Sequence, residues 1–187
     1  MTEQQQYQVV RHEPGFELRR YPAHVVAEVE AQGSFEDAGS TAFRPLVAYI
    51  RGQNQAGQAL AMTAPVLQRR DGTESTTSAV ESVRAETAPG RFVVSFVMPD
   101  GSTRDSLPDP RDARVAIRSV PEELAAVSTY SGRWTSASYR QQAARLIQSV
   151  RHAGLDPLGP PRFARFDPPW TPWFRRRNEV VLPVREG

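Results

Sequence analysis

The chain has no cysteine and no lysine among its 187 residues. The first absence excludes disulfides, thiolate ligation of iron, cysteine-based zinc sites and a cysteine nucleophile. The second makes all 23 basic side chains arginine, against 21 acids, for a net charge of +2. The sequence pI of about 9.4 therefore reflects the high pKa of arginine more than a surplus of charge. A nucleic-acid footprint needs cations gathered on one face. The tight cluster Arg175-Arg176-Arg177 is too small for one, so no nucleic-acid partner is expected. Long apolar runs are missing too: nothing approaches the roughly eighteen residues of a membrane span. The Gln-rich stretch Met1 to Tyr7 lacks the apolar centre of a signal peptide, and a cytoplasmic location is expected. There is no Gly-x-Ser-x-Gly elbow, no Gly-rich phosphate loop and no histidine pair at metal-ligand spacing. No catalytic set and no metal site follow, and a non-enzyme is expected.

What is present is enough for one domain. A chain of this length buries roughly two-thirds of its unfolded surface without staples. Residues 1–6 are expected to be disordered and 7–187 to form the domain. Tyr7 to Arg11 and Phe16 to Arg20 read as strands around a Pro14-Gly15 turn. From His24 to Glu30 the pattern alternates, with Val25, Ala27 and Val29 on one face and Glu28 and Glu30 on the other. Ser34 with Asp37 three residues on is a capping-box start. Phe35, Ala42, Phe43, Leu46, Val47 and Ile50 follow at helical spacing, and Gly52 suits the C-terminal end. Leu60 to Gln68 is a strand interrupted by Pro65, which implies an edge, a bulge or a bend. Residues 71–90, rich in Ser, Thr and Glu, read as a long mobile loop. Phe92 to Met98 is a continuous apolar run, hence a strand buried on both faces.

The second part repeats this order. Arg114 to Ser119 and Leu124 to Tyr130 read as strands, a helix carries Tyr139, Ala143, Leu146, Ile147 and Val150, and strands follow at Arg162 to Phe166 and Val180 to Val184. The stripe Phe43, Leu46, Val47, Ile50 matches Ala143, Leu146, Ile147, Val150 at a shift of 100 residues. The expectation is an α+β fold made of two ββαββ-type halves, about 7–100 and 112–187, related by a pseudo-two-fold axis.

Four fragments stand out in order: Phe16-Glu17-Leu18-Arg19-Arg20-Tyr21-Pro22; Tyr49 to Asn54 followed by Ala61-Met62-Thr63-Ala64-Pro65-Val66; Val94 to Pro99; and Phe166 to Val180 with its Arg176-Arg177-Asn178-Glu179-Val180 string. Together they resemble the SOUL haem-binding family over about Tyr7 to Val184. The resemblance implies a distorted antiparallel β-barrel flanked by two helices, similar to the effector-binding domain of bacterial multidrug-responsive regulators. It implies non-catalytic binding of haem or another porphyrin as carrier or buffer, in a cleft beside the first helix.

Carried over onto this chain, the pocket helix is Ser34 through Arg51. Phe43 and Val47 would supply apolar contact, and Arg44 and Arg51 would anchor the propionates. Met62 would face the pocket, and Arg176 would approach it from the last strand. Where some family members carry an axial histidine this chain has Arg20, and the nearest histidine is His24, read as a strand histidine. His12 falls in a turn and His152 at a helix end. Two further readings stay open. One is a non-haem effector-binding module. The other is a small hydrolase or tetrapyrrole-modifying enzyme using Glu179 or His24. Trp170, Trp173 and Phe174 are expected to seal one end of the barrel, and their exposure would favour an interaction surface instead.

Overall fold

The computed structural model describes residues 3–71, 79–85 and 88–186. In chain order the strands are β1 (Glu3–Gln4), β2 (Gln8–Glu13), β3 (Phe16–Tyr21), β4 (His24–Gly33), β5 (Thr63–Ala64), β6 (Val66–Arg70), β7 (Gly90–Val97), β8 (Val115–Val120), β9 (Glu123–Tyr130), β10 (Leu155–Pro157), β11 (Arg162–Arg165) and β12 (Asn178–Glu186). Helices α1 (Phe35–Ile50), α2 (Ala79–Ala85) and α3 (Ser136–His152) interrupt them. The segment before Tyr7, expected to carry no structure, forms β1 and pairs parallel with β5. Within 71–90, read from composition as a loop, α2 occupies 79–85, while 72–78 and 86–87 lie outside the described residues.

The main sheet is antiparallel and open. Its order is β2-β3-β9-β12-β11-β6-β7-β4-β8, with β10 beside β12. The outermost strands β2 and β8 do not meet, so the expected barrel is replaced by a sheet that does not close. Read inward from the edges, one side runs β8-β4-β7-β6 and the other β2-β3-β9-β12-β11, one strand longer, joining where β11 pairs with β6. β3 precedes β4 in the chain yet lies beside β9, and β8 precedes β9 yet lies beside β4.

Local chemistry sets the helices. Ser34 Oγ accepts from Asp37 N at 3.1 Å and donates to the Asp37 carboxylate at 2.7 Å, the predicted start of α1. Thr135 Oγ1 accepts from Ser138 N at 3.2 Å and starts α3 in the same way. The caps are 101 residues apart, and so are the buried positions: Ala38, Ala42 and Leu46 answer to Tyr139, Ala143 and Ile147. The stripe predicted at a shift of 100 is thus one residue out, because Phe43 faces outward where Ala143 faces in.

Side chains alternate across the sheet. Toward α1 and α3 point Leu18, Ala27, Val94, Phe96, Ala126, Phe163, Val180 and Leu182, all in one continuous core. The other face, to which none of the described helices contributes, carries a smaller apolar cluster of Tyr21, Val26, Leu67, Val97, Ala125, Val127, Ala164 and Val181. At the seam under the helix starts, Phe35 stacks on Tyr139 at 5.3 Å between ring centres and meets Phe163 at 5.5 Å. Gly39 leaves room there for two side-chain ends. A Cβ on it would meet the Arg165 guanidinium at 2.7 Å and Gln68 Oε1 at 2.9 Å.

Candidate functional site

Helix α1 turns about 100° per residue. Its buried side holds Phe35, Ala38, Ala42, Leu46, Tyr49 and Ile50, which places Phe43, Arg44, Val47 and Arg51 together on the opposite arc. Phe43 is 39% exposed, with its ring edge-on to Phe96 at 5.5 Å. Val47 is half-buried against the core, and Arg44 and Arg51 are exposed. Among the described residues neither guanidinium has a hydrogen-bond or ion-pair partner, unlike those of Arg19, Arg91, Arg114, Arg162 and Arg177. Met62 is 43% exposed in the segment between α1 and β5. The arc is an open surface with a ring, a branched aliphatic and two free cations.

The structure does not bring Arg176 to that arc. Its guanidinium lies over the Trp134 ring at 4.2 Å and donates to the carbonyls of Thr171 and Pro169, stapling the Pro168–Trp173 turn. Asn178 Nδ2 donates to Gly132 O at 3.1 Å and Asn178 Oδ1 accepts from Trp134 Nε1 at 2.8 Å, so it holds an irregular turn as expected. Trp170 is 84% exposed and Trp173 and Phe174 are exposed beside it, so this segment does not seal the sheet. Arg165 packs against Phe35, Trp134 and Phe163 and donates to Gln68 Oε1. Burial draws its guanidinium down to about 10, partly offset by Tyr130 and Glu36.

The opposite face of the sheet carries a second set of titratable groups. Glu179 is 1% exposed, and its carboxylate accepts from Arg19 at 3.0 and 3.1 Å, from Arg177 at 2.7 Å and from Thr129 Oγ1 at 3.2 Å. Such a carboxylate is enclosed by donors and has little lone-pair capacity left for a substrate proton. Arg19 is 3% exposed. Burial alone would lower its pKa, but the Glu179 charge, with Tyr21 and Glu17, outweighs that and drives it up. Burial pushes the Tyr21 phenol up to about 12, against the opposing pull of Arg19. Glu28 pairs with Arg118 and Arg69, and Arg162 with Glu123.

His24 stands at one end of this face. Its Nδ1 is 2.9 Å from Pro22 O, which assigns the proton to Nδ1, and its Nε2 is 3.2 Å from the Gln5 side-chain amide. A cavity of about 290 Å³ opens there, lined by His24, Thr63, Val97, Asp100 and the segment Glu3–Gln6. A much smaller one, about 10 Å³, lies between Gln5, Tyr7, Tyr21, Leu67, Phe166 and Val181. Two more cavities flank α3, about 440 Å³ near Phe16 and His152 and about 300 Å³ near Val83 and Ile147. None of these four is lined by Phe43, Arg44, Val47, Arg51 or Met62. Among the described residues no cluster of His, Asp and Glu is arranged to hold a metal ion, and no helix is long and apolar enough to cross a membrane.

An open antiparallel sheet with helices α1 and α3 packed on one face defines an α+β domain. The family model described as SOUL heme-binding protein matches residues 2–183, nearly the whole chain, and the protein belongs to that family. Among solved structures, the EcmrR C-terminal domain is similar over 97% of this chain and 99% of its own, with a TM-score of 0.65 and 16% identity. A structure described as a hydrolase from Listeria innocua is similar over 90% of this chain and 91% of its own, with a TM-score of 0.56 and 13% identity. At those identities the likeness is one of fold. A search of proteins with curated function finds none that matches.

Proposed function

We propose that this protein binds haem or a related tetrapyrrole without chemistry of its own, holding it against the outer arc of α1. Family membership supports the ligand class. The observation that carries the location is the set Phe43, Arg44, Val47 and Arg51 on one arc, with both guanidiniums unpaired among the described residues. The planar macrocycle would lie on Phe43 and Val47 with Met62 at its edge, and its carboxylates would take the two arginines bidentately. Contact of this kind covers one ligand face only. At about 25 cal/mol per Å², several hundred Å² of apolar burial supports micromolar affinity after association costs. That suits a carrier or buffer. No protein iron ligand is needed, and His24, on the helix-free face, plays no part.

Haemin titration followed at the Soret band tests this. Saturable one-to-one binding is expected, weakened several-fold by Arg44→Ala with Arg51→Ala and left nearly intact by His24→Ala. Absence of saturable binding overturns the proposal.

A second reading, an effector-binding module without haem, is favoured by the match of fold to the EcmrR C-terminal domain over almost all of both chains. A hydrolytic or tetrapyrrole-modifying role for Glu179 finds less support, since that carboxylate is surrounded by Arg19, Arg177 and Thr129. The same proposal takes the two ββαββ halves as copies of one unit. The mirrored strand order and the 101-residue spacing of the helix caps support that view.

A further inference from the structure

The helix-free face is crossed by the chain's own segment Glu3–Tyr7. Its backbone is tied by only two strand residues, Glu3 beside Thr63 and Gln4 beside Ala64, and by Gln5 N donating to Ala64 O at 2.8 Å. The remaining ties are side-chain contacts. Glu3 Oε1 accepts from Asp100 N at 2.8 Å, Gln4 Oε1 accepts from Arg177 at 3.3 Å, and the Gln5 amide meets His24 Nε2 at 3.2 Å. The Tyr7 ring lies under the Arg19 guanidinium at 4.1 Å and 5.7 Å from the Tyr21 ring. Gln5 lines both cavities of this face, so the segment divides one groove into two. A strand of two residues with exposed Gln4, Gln6 and Tyr7 belongs to the low-stability end of a fold, where local opening is cheapest.

Lifting the segment leaves specific unmet groups. The Arg19 guanidinium and Tyr21 ring lose the aromatic plane of Tyr7. The Asp100 N–H loses a carboxylate. Arg177 loses the Gln4 amide oxygen and the Tyr7 hydroxyl as acceptors, and His24 Nε2 loses a donor. An extended chain spans about 13 Å between the Glu3 and Tyr7 positions. The floor beneath is Leu67, Val97 and Val181.

We propose that Glu3–Tyr7 is a displaceable strap occupying a second binding groove, and that the groove takes a planar aromatic carboxylate. The ligand ring replaces Tyr7 against Arg19 and Tyr21, and its carboxylate replaces that of Glu3 at the Asp100 N–H. The groove is on the sheet face opposite α1, so this site is independent of tetrapyrrole binding on the helix.

The test uses 1-pyrenebutyrate, a planar ring joined through a short chain to a carboxylate, and reads its fluorescence. Wild-type protein is expected to bind weakly, and Gln5→Ala with Tyr7→Ala at least tenfold more tightly. A second variant, Glu3→Cys with Thr63→Cys, closes the strap reversibly, since the chain has no other cysteine. Paired strands lie about 4.8 Å apart, within the Cα span of a disulfide. Its oxidised form is expected to lose the probe and its reduced form to regain it, with thermal unfolding confirming that both are folded. Equal binding to the oxidised, reduced and wild-type proteins overturns the proposal, as does absence of binding to every form. Haemin titration of the same locked protein is read separately, and unchanged haemin affinity leaves the tetrapyrrole proposal standing whichever way the pyrene experiment falls.

Discussion

Under α1 and α3 the sheet buries Leu18, Val94, Phe96, Phe163, Val180 and Leu182 against a second layer that is itself apolar. On the other side it buries a shorter cluster around Val26, Val127 and Val181, and the surface is completed by Arg19 with Glu179, Glu28 with Arg118, Arg162 with Glu123, and the strap. The difference follows from what each face packs on. A sheet face hidden by helices needs only apolar complementarity. One without a covering layer must close with polar groups that satisfy each other, at a desolvation cost that makes it sensitive to charge. Apolar packing therefore dominates under the helices, whereas the opposite face adds buried ion pairs to a smaller apolar cluster.

The largest expected effect is on the helix face. Phe163→Ala removes a fully buried ring at the seam and should cost about 3–5 kcal/mol, measured by chemical denaturation, with little dependence on pH or salt. On the opposite face Glu179→Ala leaves the buried Arg19 with Glu17 as its one carboxylate partner and should cost of the order of 3 kcal/mol. Arg19→Met combined with Glu179→Leu should recover most of that loss. If the double variant is as unstable as the sum of its parts, the pair is not what closes this face.

Tyr21 sharpens the comparison through pH. Its folded phenol keeps its proton to about 12, whereas the unfolded one ionises near 10. Between those values the folded state binds more protons, so this contribution is intact below pH 10 and is lost as pH rises toward 12, roughly 2–3 kcal/mol in all. Tyr21→Phe should lack that part of the alkaline loss, and absorbance titration should show one late-ionising tyrosine fewer. Smallest is Arg20→Ala. Its partner Glu122 is 3.0 Å away but both are exposed, and the change in stability should stay under about 1 kcal/mol.

Much of the fold was legible where the signal is local. The Ser34 and Asp37 cap, the α1 stripe, the alternation of β4 and the interruption at Pro65 all rest on residues a few positions apart. What escaped depends on distant partners. β1 is Glu-Gln, with no apolar pattern, and exists because its backbone finds β5. α2 sits in a polar stretch and packs on α3, and the one-residue error between the helix stripes came from counting Phe43 as inward. Arg44 and Arg51 could be placed on one arc by periodicity, whereas nothing near Arg176 in sequence shows that its guanidinium is taken by Thr171, Pro169 and Trp134. Glu179 and Arg19, 160 residues apart, carry no sequence signal of their pairing.

The amino-acid sequence by itself determined the family, the element types and the absence of cysteine chemistry, since motif order, side-chain period and composition are written along the chain. Tertiary structure alone decided that the sheet stays open, which arginines are free and which are consumed, and that Glu3–Tyr7 lies over Arg19. Those outcomes depend on charge pairing and burial between residues distant in sequence, whose energies exist only once the strands have been brought side by side.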